Sequence, residues 1–205
     1  MRTFAMSSGI PRRITSLVLV VALAVAAHEV RAQVQDPAFP GVNGYVFSML
    51  ASGDTLFVGG LFDAIGERVN GLVALNPLTH AKLDRTPPVG PDFAYVNALA
   101  ADGSGGWFLG GGFEQLAGVP RLRLAQLRAD GSLSAWAPSA DGQVKALALC
   151  GQTLYLAGDF THVDGQPRMR LAAVDAISGE LLPWNPGANQ WVQAVIATPS
   201  AVFIC

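Results

Sequence analysis

The chain has 205 residues, of which 51% are hydrophobic and only 14% charged, with a formal net charge of −2. That composition excludes a disordered chain, which needs low hydrophobicity, and a nucleic-acid-binding domain, which needs a basic surface. The 23 glycines and 13 prolines imply many turns. Aromatic and β-branched residues fall in short runs between those turns, so an all-β fold is expected.

At the N-terminus, Arg2, Arg12 and Arg13 precede the apolar run Ile14 to Ala27, which is short for a membrane span. Val30 and Ala32 stand where a signal peptidase reads, so residues 1–32 are expected to be a signal peptide. Ala24 and Ala26 offer an earlier cut, and an uncleaved anchor is the alternative reading. Export follows, to a secreted, periplasmic or cell-surface location. Cleavage after Ala32 removes four arginines and Glu29, leaving 9 basic and 14 acidic residues. A mildly acidic exported chain has no electrostatic reason to seek nucleic acid. Residues 33–44 read as a lead-in segment, with a strand in it that closes a sheet elsewhere as one reading.

From Tyr45 onward the chain repeats itself. Three stretches share an apolar run ending in Gly and Phe: "TLFVGGLF" (Thr55–Phe62), "GWFLGGGF" (Gly106–Phe113) and "TLYLAGDF" (Thr153–Phe160). Another apolar run precedes each of them. A Gly, an Arg and a third apolar run follow, and the later copies close on "LSAWAP" (Leu133–Pro138) and "LLPWNP" (Leu181–Pro186). Val46, Val96, Val144 and Val192 mark the period, at spacings of 50, 48 and 48 residues. A unit of that length with about four short strands fits one β-propeller blade. The expected architecture is therefore blades at 45–94, 95–143 and 144–190, and the start of a fourth at 191–205. A ring closes with about 4–8 blades. The expectation is thus an incomplete propeller of about three and a third blades, ending inside a strand and prone to self-association.

Within the repeat, Phe62, Phe113 and Phe160 are expected core anchors, and Trp136 and Trp184 are expected to pack between blades. The stretch "GDFTHVDG" places Asp159, His162 and Asp164 within six residues on what reads as a loop, where they could hold a metal or move a proton. Alignment on the Phe weighs against that chemistry. Asp159 corresponds to Gly112 and Leu61, His162 to Gln115 and Ala64, and Asp164 to Ala117. The Gly, the Phe, the aliphatic three residues later and the Gly and Arg beyond it recur, whereas the acids and the histidine do not. The spacing also fails the calcium-loop pattern. Asp130 and Asp175 read as turn formers, and His80 and His162 as single loop histidines. No catalytic residue, cofactor or metal is expected. Cys150 and Cys205 are read as free thiols, with a bridge as the alternative.

The run "VKALALCGQTLYLAGDFTHVDGQPRMRLAAVDAISGELLPWNP" (Val144–Pro186) resembles the delta-60 repeat β-propellers, a group of secreted and surface-exposed bacterial proteins. The first copy departs from the pattern, with Thr86 in place of Trp and "NPLTHAKL" in place of the Asp-containing turn. "AVDAISGELLPW" (Ala173–Trp184) also resembles the tryptophan-docking motif of quinoprotein propellers, with Ser178 in the Thr place and one extra residue before Trp184. A kelch-type repeat is a weaker relative. The resemblance implies a propeller that binds a protein or glycan partner through its blade loops without catalysis. The alternative is an exported quinoprotein-like or hydrolase-like propeller enzyme whose site is completed by blades absent from this chain.

Overall fold

The computed structural model describes residues 42–62, 64, 65, 67, 68, 71–90 and 94–205, with 64, 65, 67 and 68 described as backbone alone. The expected signal peptide and most of the lead-in lie outside the described residues. Every regular element among the described residues is a strand. The first sheet has the order β1-β2-β5-β6, from β1 (Tyr45–Ser52), β2 (Thr55–Leu61), β5 (Leu72–Leu75) and β6 (Lys82–Leu83), and a small hairpin, β3 (Ala64–Ile65) and β4 (Glu67–Arg68), interrupts it. After β7 (Val89–Gly90), the second sheet uses β8 (Val96–Ala101), β9 (Trp107–Gly111) and β12 (Leu124–Leu127), with the hairpin β10 (Gln115–Leu116) and β11 (Val119–Pro120) in the same place. The third is built from β13 (Val144–Cys150), β14 (Thr153–Gly158) and β17 (Leu171–Asp175), with the hairpin β15 (His162–Val163) and β16 (Gln166–Pro167). A two-stranded sheet follows, from β18 (Val195–Ala197) and β19 (Val202–Ile204).

The sheets are apolar on both faces because they pack on one another. Phe57, Leu72 and Ala74 of the first sheet share a core with Trp107, Leu109, Ala125 and Leu127 of the second. Phe108 and Leu124, facing the other way on β9 and β12, share one with Leu154, Leu156, Ala172 and Val174 of the third. Alternate residues of one strand therefore enter two different cores, which is why the strands read as continuous apolar runs. The Phe anchors close these layers, with Phe62 6% exposed and Phe113 and Phe160 fully buried. Trp136 lies between the second and third sheets, its ring 4.9 Å from that of Phe108 and its indole N–H donating to the Asp175 carbonyl of the third sheet at 3.1 Å. Trp184 packs edge-on against Tyr155 at 5.1 Å.

Glycine sets how close successive sheets come. A methyl group at Gly59 would stand 2.9 Å from Val96 Cγ1, and one at Gly110 would stand 2.7 Å from Val144 Cγ1. Val96 and Val144 thus each seat in the hole left by a glycine of the unit before, whereas Val192 shares a core with Ala157, which stands in the matching place. The first strand of each unit also carries the same register shift, between Val46 and Ser48, Val96 and Ala98, and Val144 and Ala146. Phe47, Asn97 and Lys145 are the residues bulged out of the ladder.

Two features differ from the four-strand expectation. The outermost strand is a ladder only in the first sheet. In the second and third it shrinks to single bridges, Leu127 to Leu133 and Val174 to Leu181. Prolines 138, 183 and 186 flank those bridges and lack the N–H a longer ladder needs. The second difference is the hairpin between the second and third strands of each unit, in the stretch read as a loop. Its central residues have positive φ, 54° and 74° at Ala117 and Gly118, and 49° and 72° at Asp164 and Gly165. Left-handed φ at both central positions is the type I′ geometry that matches strand twist. The second and third hairpins pair with chain leaving the preceding sheet: Leu116 with Val89, and Val163 with Ala140.

Candidate functional site

The two ends of the sheet array differ. One end carries tight turns closed by their own polar side chains. Asp102 accepts from the Ser104 and Gly106 amides at 2.8 Å, Asp130 from the Ser132 amide at 2.8 Å, and Asp175 from the Ile177 and Ser178 amides at 2.9 and 2.7 Å. These bonds to Asp175 hold its carboxyl below the usual carboxylate range, the Ser178 amide contributing most. Asp130 and Asp175 are therefore turn formers, as their sequence setting implied. The opposite end gathers the hairpins, the bulges and the linkers between sheets. We call it the linker end.

The three residues singled out by sequence lie there, but each faces a different partner. Asp159 sits 3.8 Å from the Lys145 ammonium on the inner strand. The His162 ring lies 3.0 Å from the carboxylate of Asp141, a linker residue. Asp164, at the tip of the I′ turn, accepts from the Ser139 amide at 2.7 Å and its hydroxyl at 3.0 Å. Among the described residues no group of three or more His, Cys, Asp or Glu is placed to hold a metal ion. The reason is local geometry. Asp159 follows the end of β14, His162 lies in β15 and Asp164 in the turn beyond it, so neighbours in sequence diverge in space.

Asp141 was not singled out by sequence, yet it makes the densest polar contacts of the linker end. It accepts from the Thr161 and His162 amides at 2.7 and 2.9 Å and from the Thr161 hydroxyl at 2.5 Å. Burial pushes its carboxyl up, but the Thr161 hydroxyl, the two amides and the His162 ring together hold it well below the usual range. Asp141 and Asp164 thus fasten the β15–β16 hairpin to the linker from both sides. The recurring arginine has a matching task on the outer side. Arg121 donates to the Pro120 and Ser134 carbonyls, both at 2.8 Å, and Arg168 to the Pro167 and Leu182 carbonyls at 2.9 and 3.0 Å. It ties hairpin to outer segment in both units.

The remaining linker-end side chains come from the inner strands. β1 lies against β8, β8 against β13 and β13 against β18. The bulged residues reach from each strand to the next. Phe47 meets Tyr95 edge-on at 6.1 Å, the Asn97 amide donates to the Val144 carbonyl at 3.2 Å, and the Lys145 ammonium lies 4.1 Å from the centre of the Trp191 ring. Burial first, then the neighbouring Asp159, push the Tyr95 phenol above its ordinary value, with Arg123 opposing, so its hydroxyl stays protonated. Cys150 and Cys205 are both free thiols, the former half-buried and the latter exposed.

A family model described as a β-propeller domain of unknown function matches residues 101–133, from the end of β8 through the outer segment of the second sheet. The fold is a β-propeller. Among solved structures, the computationally designed Ika4 protein superposes with a TM-score of 0.54 at 16% identity, covering 80% of this chain and 86% of that one. The extracellular domain of a putative one-component system from B. thetaiotaomicron matches at a TM-score of 0.46 and 19% identity, over 78% of this chain and 20% of that one. The designed Ika8 protein matches at 0.42 and 13% identity, over 78% of this chain and 54% of that one. This chain therefore spans about a fifth of the second protein and about half of the third. Comparison with curated proteins finds no match. The propeller places the linker end at one rim of the sheet array, with the inner strands lining its axis.

Proposed function

We propose that the protein is an exported or cell-surface propeller module of the delta-60 repeat type, non-catalytic, which binds a partner through the linker end. In this reading the sheets are blades at 45–94, 95–143 and 144–190, with 191–205 opening a fourth. The observation that carries the reading is the division of labour within the repeat. The recurring Val, Gly, Phe and Arg are consumed in packing and in backbone hydrogen bonds. At the linker end the packing leaves Leu122 and Met169 unused, an apolar residue at matching positions of two units, 48% and 44% exposed. Propellers place function in loops held by a rigid scaffold. The charged segment and apolar run of residues 2–27 support export.

Two measurements test this. The N-terminus of the protein produced from its own gene should begin at Gln33 or at the earlier cut, outside the cytoplasm; cytoplasmic protein retaining Met1 refutes export. Labelled protein should adhere to the surface of the producing cells. Leu122→Ser with Met169→Ser should abolish adhesion, and Leu78→Ser with Ile177→Ser, in turns at the opposite end, should not. Equal adhesion of both pairs would refute the linker end as the binding surface.

A further inference from the structure

The inner strands present a connected row of side chains that crosses every sheet. Tyr45 and Phe47 stand with parallel rings, centroids 6.4 Å apart and planes within 1°. Phe47 touches Tyr95, and the amide of Asn97, two residues on, donates to the Val144 carbonyl of the next inner strand at 3.2 Å. Asp159 pairs with Lys145, and Lys145 lies over Trp191. Phe47 and Tyr95, and Lys145 and Trp191, are 48 and 46 residues apart in sequence and meet because successive inner strands are neighbours around the axis.

The fold does not require these side chains. Read across the units, the segment is Tyr-Val-Phe at 45–47, Tyr-Val-Asn at 95–97, Gln-Val-Lys at 143–145 and Trp-Val-Gln at 191–193. The valine is constant because it packs inward: Val96 and Val144 fill glycine holes, Val192 shares a core with Ala157, and Val46 packs against the core of its own sheet. Its two flanks change type in almost every unit, while the backbone bulge that presents them recurs in the first three units. Packing therefore fixes the middle residue and leaves its neighbours free to serve something else. Several are also open to solvent: Trp191 is 60% exposed, Tyr45 57% and Phe47 40%.

The chemistry of the row limits what it can hold. Its one cation is already matched by Asp159, so it offers no net charge to a polyanion. It is not a continuous apolar patch of the kind a protein core contact needs, since Asn97, Lys145 and Asp159 interrupt the rings. Rings alternating with donors and acceptors suit a ligand with the same alternation. A pyranose has a face of C–H groups that lies on an aromatic ring, and a rim of hydroxyls that must be hydrogen-bonded when water is displaced.

We propose that this row is an oligosaccharide-binding site, in which Trp191 and the Tyr45–Phe47 pair are stacking platforms and Asn97, Lys145 and Asp159 engage the hydroxyls between them. The assignment rests on the binding-module reading above and names its ligand class. Calorimetric titration with cellohexaose, xylohexaose and chitohexaose tests it on the whole chain. At least one hexasaccharide should bind saturably. Trp191→Ala, and separately Tyr45→Ala with Phe47→Ala, should weaken that binding about tenfold or more, the size typical of lost aromatic anchors. These exposed substitutions should leave the melting temperature in place, and Leu78→Ala at the other end should leave binding unchanged. Absence of binding to all three sugars at millimolar concentration would overturn the proposal, as would binding that both aromatic variants retain. Cell-surface adhesion that persists without saccharide binding would overturn the ligand class alone and leave the binding module standing.

Discussion

Replacing Gly110 by alanine tests how the sheets are spaced. The added methyl would lie 2.7 Å from Val144 Cγ1, 3.2 Å from Val144 Cβ and 3.3 Å from Leu147 Cδ1. Ordinary carbon contacts lie at about 3.5–4.0 Å, so the neighbouring sheet must retreat by nearly an ångström. Val144 is fully buried and has no free direction, and Gly110 is held by ladder partners on both sides, Ala98 and Leu124. Overpacking of this kind costs about 1–3 kcal/mol. Restricting the unfolded chain returns roughly 0.4–1 kcal/mol, which leaves a net loss of about 1–2 kcal/mol. For a chain of this length that lowers the melting temperature by roughly 2–8 °C, measurable by scanning calorimetry with urea unfolding as a second probe. Gly90→Ala is the control, because nothing among the described residues lies within 4 Å of its added methyl, and it should keep the unfolded-chain gain of roughly 0.4–1 kcal/mol and lose no stability. Adding Val144→Ala to Gly110→Ala should give a double variant less destabilised than the sum of the singles by about 0.5 kcal/mol or more, because the two changes share one space. A Gly110→Ala protein that melts at or above the parent temperature, or strict additivity in the double, would refute the valine-in-glycine account.

Three other outcomes follow from the hairpins. Ala117 holds φ at 54°, where an L-residue other than Asn or Asp is strained by about 1–2 kcal/mol, so Ala117→Asn should raise stability by roughly 0.5–1 kcal/mol, and a loss would contradict the I′ assignment. Arg168→Met removes two donors from a residue only 8% exposed and should cost about 2–4 kcal/mol; urea unfolding showing a loss below about 0.5 kcal/mol would mean the arginine does not tie the hairpin down. The Asp141 carboxyl is depressed in the folded state, so its contribution is present above its unfolded value near ~3.9 and is lost as pH falls below that. Thermal melts between about pH 5 and 2 should therefore fall less steeply for Asp141→Asn than for the parent protein, and parallel curves would remove Asp141 as the clamp.

Much of the architecture was legible in the sequence because every unit must solve the same packing problem. Val96 and Val144 need a glycine opposite, Phe113 and Phe160 fill the same space, and Arg121 and Arg168 reach the same outer carbonyls. Identical contacts leave identical residues at a fixed period, and a period can be read without coordinates. The turns were partly legible on the same terms. Asp164-Gly165 is a strong local hairpin signal, whereas Ala117-Gly118 is held in that shape by its surroundings.

What the repeat does not encode is which side chains meet across units. The pairing of Leu116 with Val89 and of Val163 with Ala140 joins the second and third hairpins to chain from the sheet before, and no local pattern announces it. The same holds for the site. Asp159, His162 and Asp164 are neighbours in sequence, but a tight turn between short strands sends them to Lys145, Asp141 and Ser139. Phe47 and Tyr95, and Lys145 and Trp191, are far apart in sequence and meet, because inner strands lie side by side around an axis. Sequence spacing determined the period and the scaffold, through contacts that every unit repeats. Only the tertiary arrangement decided which of the unrepeated side chains share a surface, since that depends on the distance between sheets and the direction each bulge points.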